Sequence, residues 1–166
     1  MKITIERANE SHIELISSLA EQIWKKHYPE IIGMQQVEYM LEKMYAFESL
    51  LQQMNEKKHE FFLVLNEKEK IGFISVHQDS ASTYQLNKFY ILQSNQKKGI
   101  GTQAFQLLMG EIKAAKEIRL TVNRHNFKSI NFYFKNGFTI ESVADFDIGD
   151  GYFMNDFIMV WKNLEM

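Results

Sequence analysis

The run Gln96-Lys97-Lys98-Gly99-Ile100-Gly101-Thr102 constrains the fold of this chain more than any other. It follows a stretch with strand character, residues 84–92, and precedes one with helical periodicity that carries Ala104, Phe105, Leu107, Leu108 and Ile112 on one side. A strand must therefore turn tightly into a helix here. Glycine allows that turn and lets backbone amides come close to a ligand. The helix start adds an effective charge of about +0.5. Such a turn suits an anion, a pyrophosphate in particular, and Lys97 and Lys98 add positive charge.

Several readings of the turn compete. A Walker A loop needs Gly-Lys-Ser/Thr after its second glycine, whereas Gly101 is followed by Thr102-Gln103. A dinucleotide fingerprint matches Gly99-Ile100-Gly101-Thr102-Gln103-Ala104, but it expects an acidic residue at the end of the next strand. That strand ends Thr121-Val122-Asn123-Arg124. A coenzyme A pyrophosphate loop fits, and so does a plain strand-to-helix turn.

The remaining pattern gives one mixed α/β domain over residues 1–166, in the order β-α-α-β-β-β-α-β-α-β-β. Residues 2–7 alternate as a strand. Asn9 or Ser11 caps a helix that buries Ile13, Ile16, Leu19, Ala20, Ile23 and Trp24, and Pro29 ends it. A second helix is expected over 35–56, with Val37, Met40, Leu41, Met44, Phe47, Leu51 and Met54 inward. Residues 61–65 and 71–77 read as a hairpin around the charged turn 66–70. Strands follow at 118–122, 138–144 and 153–161, with a short helix at 127–136 stopped by Gly137. Turn chemistry spans 147–151.

Composition narrows the function classes. With 19 basic and 21 acidic side chains the net charge is −2, so no broad basic field exists for nucleic acid. There is no cysteine, which removes disulfides, thiolate metal sites and a cysteine nucleophile. No leader and no apolar run of membrane-spanning length is evident, and a cytoplasmic location is expected. No metal site is expected.

The run Gln96-x-x-Gly99-x-Gly101 resembles the acetyl-CoA loop of the GCN5-related N-acetyltransferase (GNAT) superfamily. About 25 residues on, Asn126-Phe127-Lys128-Ser129-Ile130-Asn131-Phe132-Tyr133-Phe134-Lys135-Asn136-Gly137-Phe138 is similar to that family's N-x-x-A-x-x-x-Y-x-x-x-G-F segment, with Ser129 in place of alanine. The likeness covers nearly the whole chain. Trp24 to Tyr39 and Gly149 to Asp156 also resemble bacterial polyamine acetyltransferases.

The resemblance implies a mostly antiparallel sheet of about seven strands flanked by about four helices, splayed between its fourth and fifth strands. It implies acetyl-CoA as cofactor. Pantetheine would pair with the strand at Phe89, Tyr90 and Ile91, with the phosphates on residues 96–102. Asn123, Asn126, Lys128, Ser129 and Lys135 would be further cofactor contacts. Tyr133 would protonate the leaving thiolate. Read plainly, Tyr133 packs on the sheet, Asn126 is an N-cap, and Arg124, Lys128 and Lys135 are solvated charges.

The base is open among His77, Asp156, Glu38 and ordered water. Trp24, Tyr28, Tyr39, His77, Tyr152 and Asp156 would flank the acceptor, a small-molecule or peptide amine, with His27 and Asp150 nearby. The same aromatics serve equally to pack helices on the sheet. A non-catalytic CoA-binding module and a nicotinamide-dependent oxidoreductase stand as alternatives, and a homodimer is compatible with such a fold.

Overall fold

The computed structural model describes residues 1–96 and 99–164. Seven strands and six α-helices lie along the described residues. The strands are β1 (Ile3–Arg7), β2 (Glu60–Asn66), β3 (Glu69–Gln78), β4 (Thr83–Ile91), β5 (Glu117–Asn123), β6 (Thr139–Gly149) and β7 (Tyr152–Lys162). The helices are α1 (Ile13–His27), α2 (Pro29–Ile32), α3 (Met34–Tyr45), α4 (Phe47–Asn55), α5 (Ile100–Glu111) and α6 (Phe127–Lys135). Hydrogen bonding orders the strands β1-β2-β3-β4-β5-β7-β6. Strands β4 and β5 pair in parallel; β1–β2, β2–β3, β5–β7 and β6–β7 are antiparallel.

The chain groups into two compact units, Met1–His77 with Lys88–Lys113, and Gln78–Asn87 with Ala114–Met166. In the first unit α1 buries Ile13, Ile16, Leu19, Ala20, Ile23 and Trp24, the stripe expected from the sequence. Each isoleucine and leucine of the stripe contributes about 1.5–3 kcal/mol when fully buried. It packs against α3 and α4, while α5 packs on β1. Pro29 occupies the first turn of α2, where its missing N–H has no helical partner to lose.

The helix expected over 35–56 is two helices. Ala46 leaves the helical region at φ −63° and ψ 152°. The Met44 carbonyl exposed by that break is capped from α4, because Gln53 Nε2 donates to it at 2.8 Å. With the short α2, this split raises the helix count from about four to six.

In the second unit β5 and β7 pair from Glu117↔Lys162 to Asn123↔Asp156. Strands β6 and β7 run on to Gly149 and from Tyr152, so the turn expected over 147–151 contracts to Asp150 and Gly151. Arg119 reaches across to Glu141 with two parallel bonds of 3.1 and 2.9 Å, tying β5 to β6. Gly137 follows α6 with φ 93°, at the expected stop.

Candidate active site

Strand β4 belongs to both units. Thr83, Tyr84 and Gln85 pair with Glu117, Ile118 and Arg119 of β5, and among the described residues the β4–β5 register ends at Gln85. The second stretch, Lys88 to Ile91, belongs to the first unit. Along β4 the buried positions are 84, 86 and 88, and burial then resumes at 91. A one-residue change of phase is what an inserted residue produces in a strand.

The far end of β4 is fixed to β3. Leu92 N donates to Ile71 O at 2.8 Å. Gly72 lies so close that a Cβ there would sit 2.2 Å from Tyr90 O. Gln96 Nε2 donates to Ile91 O at 2.6 Å, folding the following loop back onto the strand. Phe89 and Tyr90 are half-buried and Ile91 is buried.

The loop enters α5 through Gly99, which is left-handed at φ 78° and is the N-cap. Among the described residues no side chain caps this helix start, and the space where a Gly99 Cβ would point is open. Ile100 turns its side chain into the core, so only its backbone can serve a ligand. Gly101 and Thr102 are half-buried in the first turn. An uncapped twelve-residue helix beginning at an open glycine fits an anionic group. Lys97 and Lys98, expected at the phosphates, lie outside the described residues.

In the second unit Asn126 is 2 % exposed and caps α6, its side chain accepting from Ser129 N at 3.4 Å. Asn123 Oδ1 accepts from His125 N at 2.8 Å. Tyr133 is buried, with its ring 5.3 and 5.4 Å from Phe132 and Phe138. Lys128 and Lys135 are exposed. Arg124 is committed within the unit, to Asp145 Oδ1 at 2.9 Å and to the carbonyls of Ala144 and Asp156.

Asp156 is the buried acid of this unit, 3 % exposed. Burial pushes its carboxyl up to about 6, against the Thr121 hydroxyl and the Arg124 charge, which pull it down. Tyr152 is half-buried at the start of β7. Asp150, in the hairpin turn, has φ 51°.

The remaining acceptor candidates divide. Trp24 and Tyr28 lie with centroids 4.4 Å apart and their rings tilted by 32°, and Trp24 also meets Tyr45 and Tyr90 at 5.8 Å. His27 lies edge-on to Tyr28. Tyr39 instead has the Lys43 ammonium 5.7 Å above its ring. His77 stacks on His59 at 4.6 Å and 7°. Glu38 lines a groove of about 240 Å³ between α1 and α3, with Glu21, Glu42 and Lys25.

Tyr45 and Lys88 are among the buried residues that escaped the sequence reading. Tyr45 is 1 % exposed, with its hydroxyl in no hydrogen bond of good geometry. Burial raises its pKa far above the usual phenol range. Lys88 is 5 % exposed and donates to Gln53 Oε1 at 2.7 Å. Its signal was present: it continues the buried positions Tyr84 and Leu86 along β4.

Among the described residues, no helix is long and apolar enough to cross a membrane. Nor does any group of three His, Asp or Glu side chains among them suit a metal ion.

The acetyltransferase (GNAT) family model matches residues 19–138. The spermidine N(1)-acetyltransferase of Thermoplasma acidophilum is 29 % identical, and the match covers 98 % of each chain. A crystal structure of PaiA N-acetyltransferase from Thermoplasma acidophilum in complex with coenzyme A superposes with a TM-score of 0.82 and 27 % identity, over 98 % of this chain and 100 % of that one. Ard1 from Thermoplasma volcanium, at 20 % identity and TM-score 0.75, covering 99 % of this chain and all of that one, shares the fold.

Proposed function

This chain belongs to the acetyltransferase (GNAT) family, and we propose that it transfers the acetyl group of acetyl-CoA to a primary amine of a polyamine. The observation that carries the cofactor half of this reading is the uncapped start of α5 behind Gly99. The acceptor half rests on the spermidine N(1)-acetyltransferase relative. The half-buried Tyr28, backed by the buried Trp24, offers an aromatic surface that suits a cationic chain.

Bound acetyl-CoA supplies an activated acyl group, its thioester. The amides of the first turn of α5 would hold its pyrophosphate, with Lys97, Lys98, Lys128 and Lys135 as cationic contacts. The backbone of Phe89, Tyr90 and Ile91 would pair with the pantetheine amides and donate to the thioester oxygen as charge develops there; losing such a donor costs about 3 kcal/mol. Asn123 and Asn126 use their side-chain oxygens within the chain, so their amide N–H groups would meet the pantetheine carbonyls. Tyr133 would donate its phenolic proton to the departing thiolate.

The acceptor's ammonium, with a pKa of about 10, must lose a proton before its nitrogen can attack. Asp156 would take it, since burial brings this carboxyl to about 6, nearer the working pH than an ordinary aspartate. A base must be ionised, so kcat/KM should rise as pH climbs through about 6. Asp156→Asn should lower kcat and erase that ascending limb. A limb unchanged in the variant would remove Asp156 from this role.

The chain has no cysteine to carry the acetyl group, and direct attack within a ternary complex is the expected route. Initial-rate lines at varied acetyl-CoA and acceptor should intersect; parallel lines would contradict direct transfer. The deciding experiment is an acceptor screen by thiol release, begun with spermidine and spermine and extended to peptide amines and amino sugars. Turnover with spermidine well above the others is expected. Coenzyme A binding with no amine accepted would leave a non-catalytic binding module.

Gly99→Val tests the loop separately. A left-handed conformation costs a non-glycine residue about 1–2 kcal/mol, and the valine side chain would fill the open space at the helix start. Coenzyme A affinity by calorimetry should fall roughly tenfold or more. Unchanged affinity would separate this loop from the pyrophosphate.

A further inference from the structure

A lysine is almost never fully buried unless it is paired. Lys88 is buried, and among the described residues no carboxylate is paired with it; burial and the Lys57 charge are what act on it. What surrounds the ammonium is a neutral acceptor and two aromatic faces. Nζ donates to Gln53 Oε1 at 2.7 Å, and lies 5.5 Å from the Tyr45 ring centroid and 5.6 Å from that of Phe61. Gln53 is itself immobilised by Met44 O at 2.8 Å and Ser49 Oγ at 3.1 Å. Three elements, α3, α4 and β2, thus converge on one atom carried by β4.

The location of that atom gives the arrangement its meaning. Lys88 is the first residue of β4 to belong to the first unit. It is also the last residue before the buried positions change phase. The three residues after it are those whose backbone would meet pantetheine. An apolar side chain of similar length would bury here at lower cost. What the ammonium adds is direction: one short bond and two ring faces fix where its strand lies.

We propose that Lys88 is a positioning residue for acetyl-CoA, its buried ammonium anchoring β4 to the helical layer so that the backbone of residues 89–91 is held ready for pantetheine. The proposal rests on the acetyl-CoA reading above, and it concerns a residue that acts only through the backbone beside it.

The anchor is sensitive to pH. Burial, and then the Lys57 charge, bring the Lys88 ammonium down to about 8. The half-buried His59, stacked on His77, also faces it. Tyr45 from α3, Gln53 from α4 and Phe61 from β2 bring no negative charge to it. A lysine lowered in this way is charged below about 8 and loses its proton as pH rises through that value. The bond to Gln53 and the attraction to the rings weaken with it.

The test compares the wild type with Lys88→Met, Lys88→Arg and Gln53→Leu, each checked for folding by circular dichroism. Coenzyme A affinity is measured by calorimetry below and above the lysine's titration. Amide hydrogen exchange of residues 89–91 is followed in the free protein at one fixed pH. A hydrogen bond to a charged group contributes about 1.5–3 kcal/mol, so Lys88→Met and Gln53→Leu should each weaken binding roughly tenfold or more. Both should speed exchange at 89–91, and raise KM for acetyl-CoA more than they lower kcat. Wild-type affinity should fall severalfold across the titration, and Lys88→Arg should hold its affinity.

A folded Lys88→Met with wild-type affinity and wild-type exchange overturns the proposal. So does a wild-type pH dependence that persists unchanged in Lys88→Arg, which would place the titration on a group other than Lys88. Failure of the wild type itself to bind coenzyme A would refute the acetyl-CoA reading instead. The exchange data on the free protein would still judge the anchor.

Discussion

Replacing Tyr133 by phenylalanine should lower kcat about a hundredfold while leaving coenzyme A affinity within a factor of two, since a positioned proton donor contributes roughly 10²–10⁴-fold. The substitution isolates one atom. Tyr133 is buried, and its ring meets Phe132 and Phe138 edge-on; phenylalanine keeps that ring and those contacts. What disappears is the O–H, which on the proposed mechanism would supply the departing sulfur with a proton. Steady-state kinetics with spermidine, together with calorimetric titration of coenzyme A, reads both quantities. Full turnover in Tyr133→Phe would make the residue a packing element only. Equal losses of turnover and of cofactor affinity would point to a general disturbance of α6 instead.

Gly72→Ala should be the most damaging single methyl in the first unit. In a strand, replacing glycine by alanine ordinarily stabilises by about 0.4–1 kcal/mol, because the unfolded chain loses freedom. Here the new Cβ would lie 2.2 Å from Tyr90 O and 3.0 Å from Ile91 Cα. Both are backbone atoms, so no side chain can swing aside. Overpacking of this kind costs about 1–3 kcal/mol, which outweighs the entropic gain. At this chain length that corresponds to a fall in Tm of roughly 2–12 °C. The same push displaces the Tyr90–Ile91 backbone, so coenzyme A should bind more weakly as well. Calorimetric melting and a coenzyme A titration check the pair of effects. An unchanged melt would mean that β4 has room to move away.

Comparison of particular residues shows what the sequence made legible. The strand, turn and helix around Gly99 could be read because glycine there serves a local need, a left-handed N-cap. Helix α6 could be read because Asn126 and Gly137 bracket it at the positions where caps belong. The stripe of α1 followed from spacing alone. The break at Ala46 could not, since alanine favours helix and the Met44 carbonyl it exposes is capped by Gln53, nine residues on. Lys88 escaped for the same reason. Its alternation with Tyr84 and Leu86 marks the inward face, but the partners that accept its charge lie in α3, α4 and β2, far off in the sequence. Asp156 was legible as an acid, whereas its raised pKa depends on burial that only the folded chain supplies.

A strand that answers to two units carries a restriction that neither unit bears alone. Helices α1 to α4 can vary within the first unit, and the β6–β7 hairpin within the second. The stretch from Gln85 to Lys88 has no such liberty. One residue more or fewer there would send every later side chain of β4 to the opposite face. Lys88 would be turned away from Gln53, and Tyr90 away from Trp24. In descendants of this chain, length should therefore drift in loops and at the hairpin tip, while the count of residues between those two positions stays as it is.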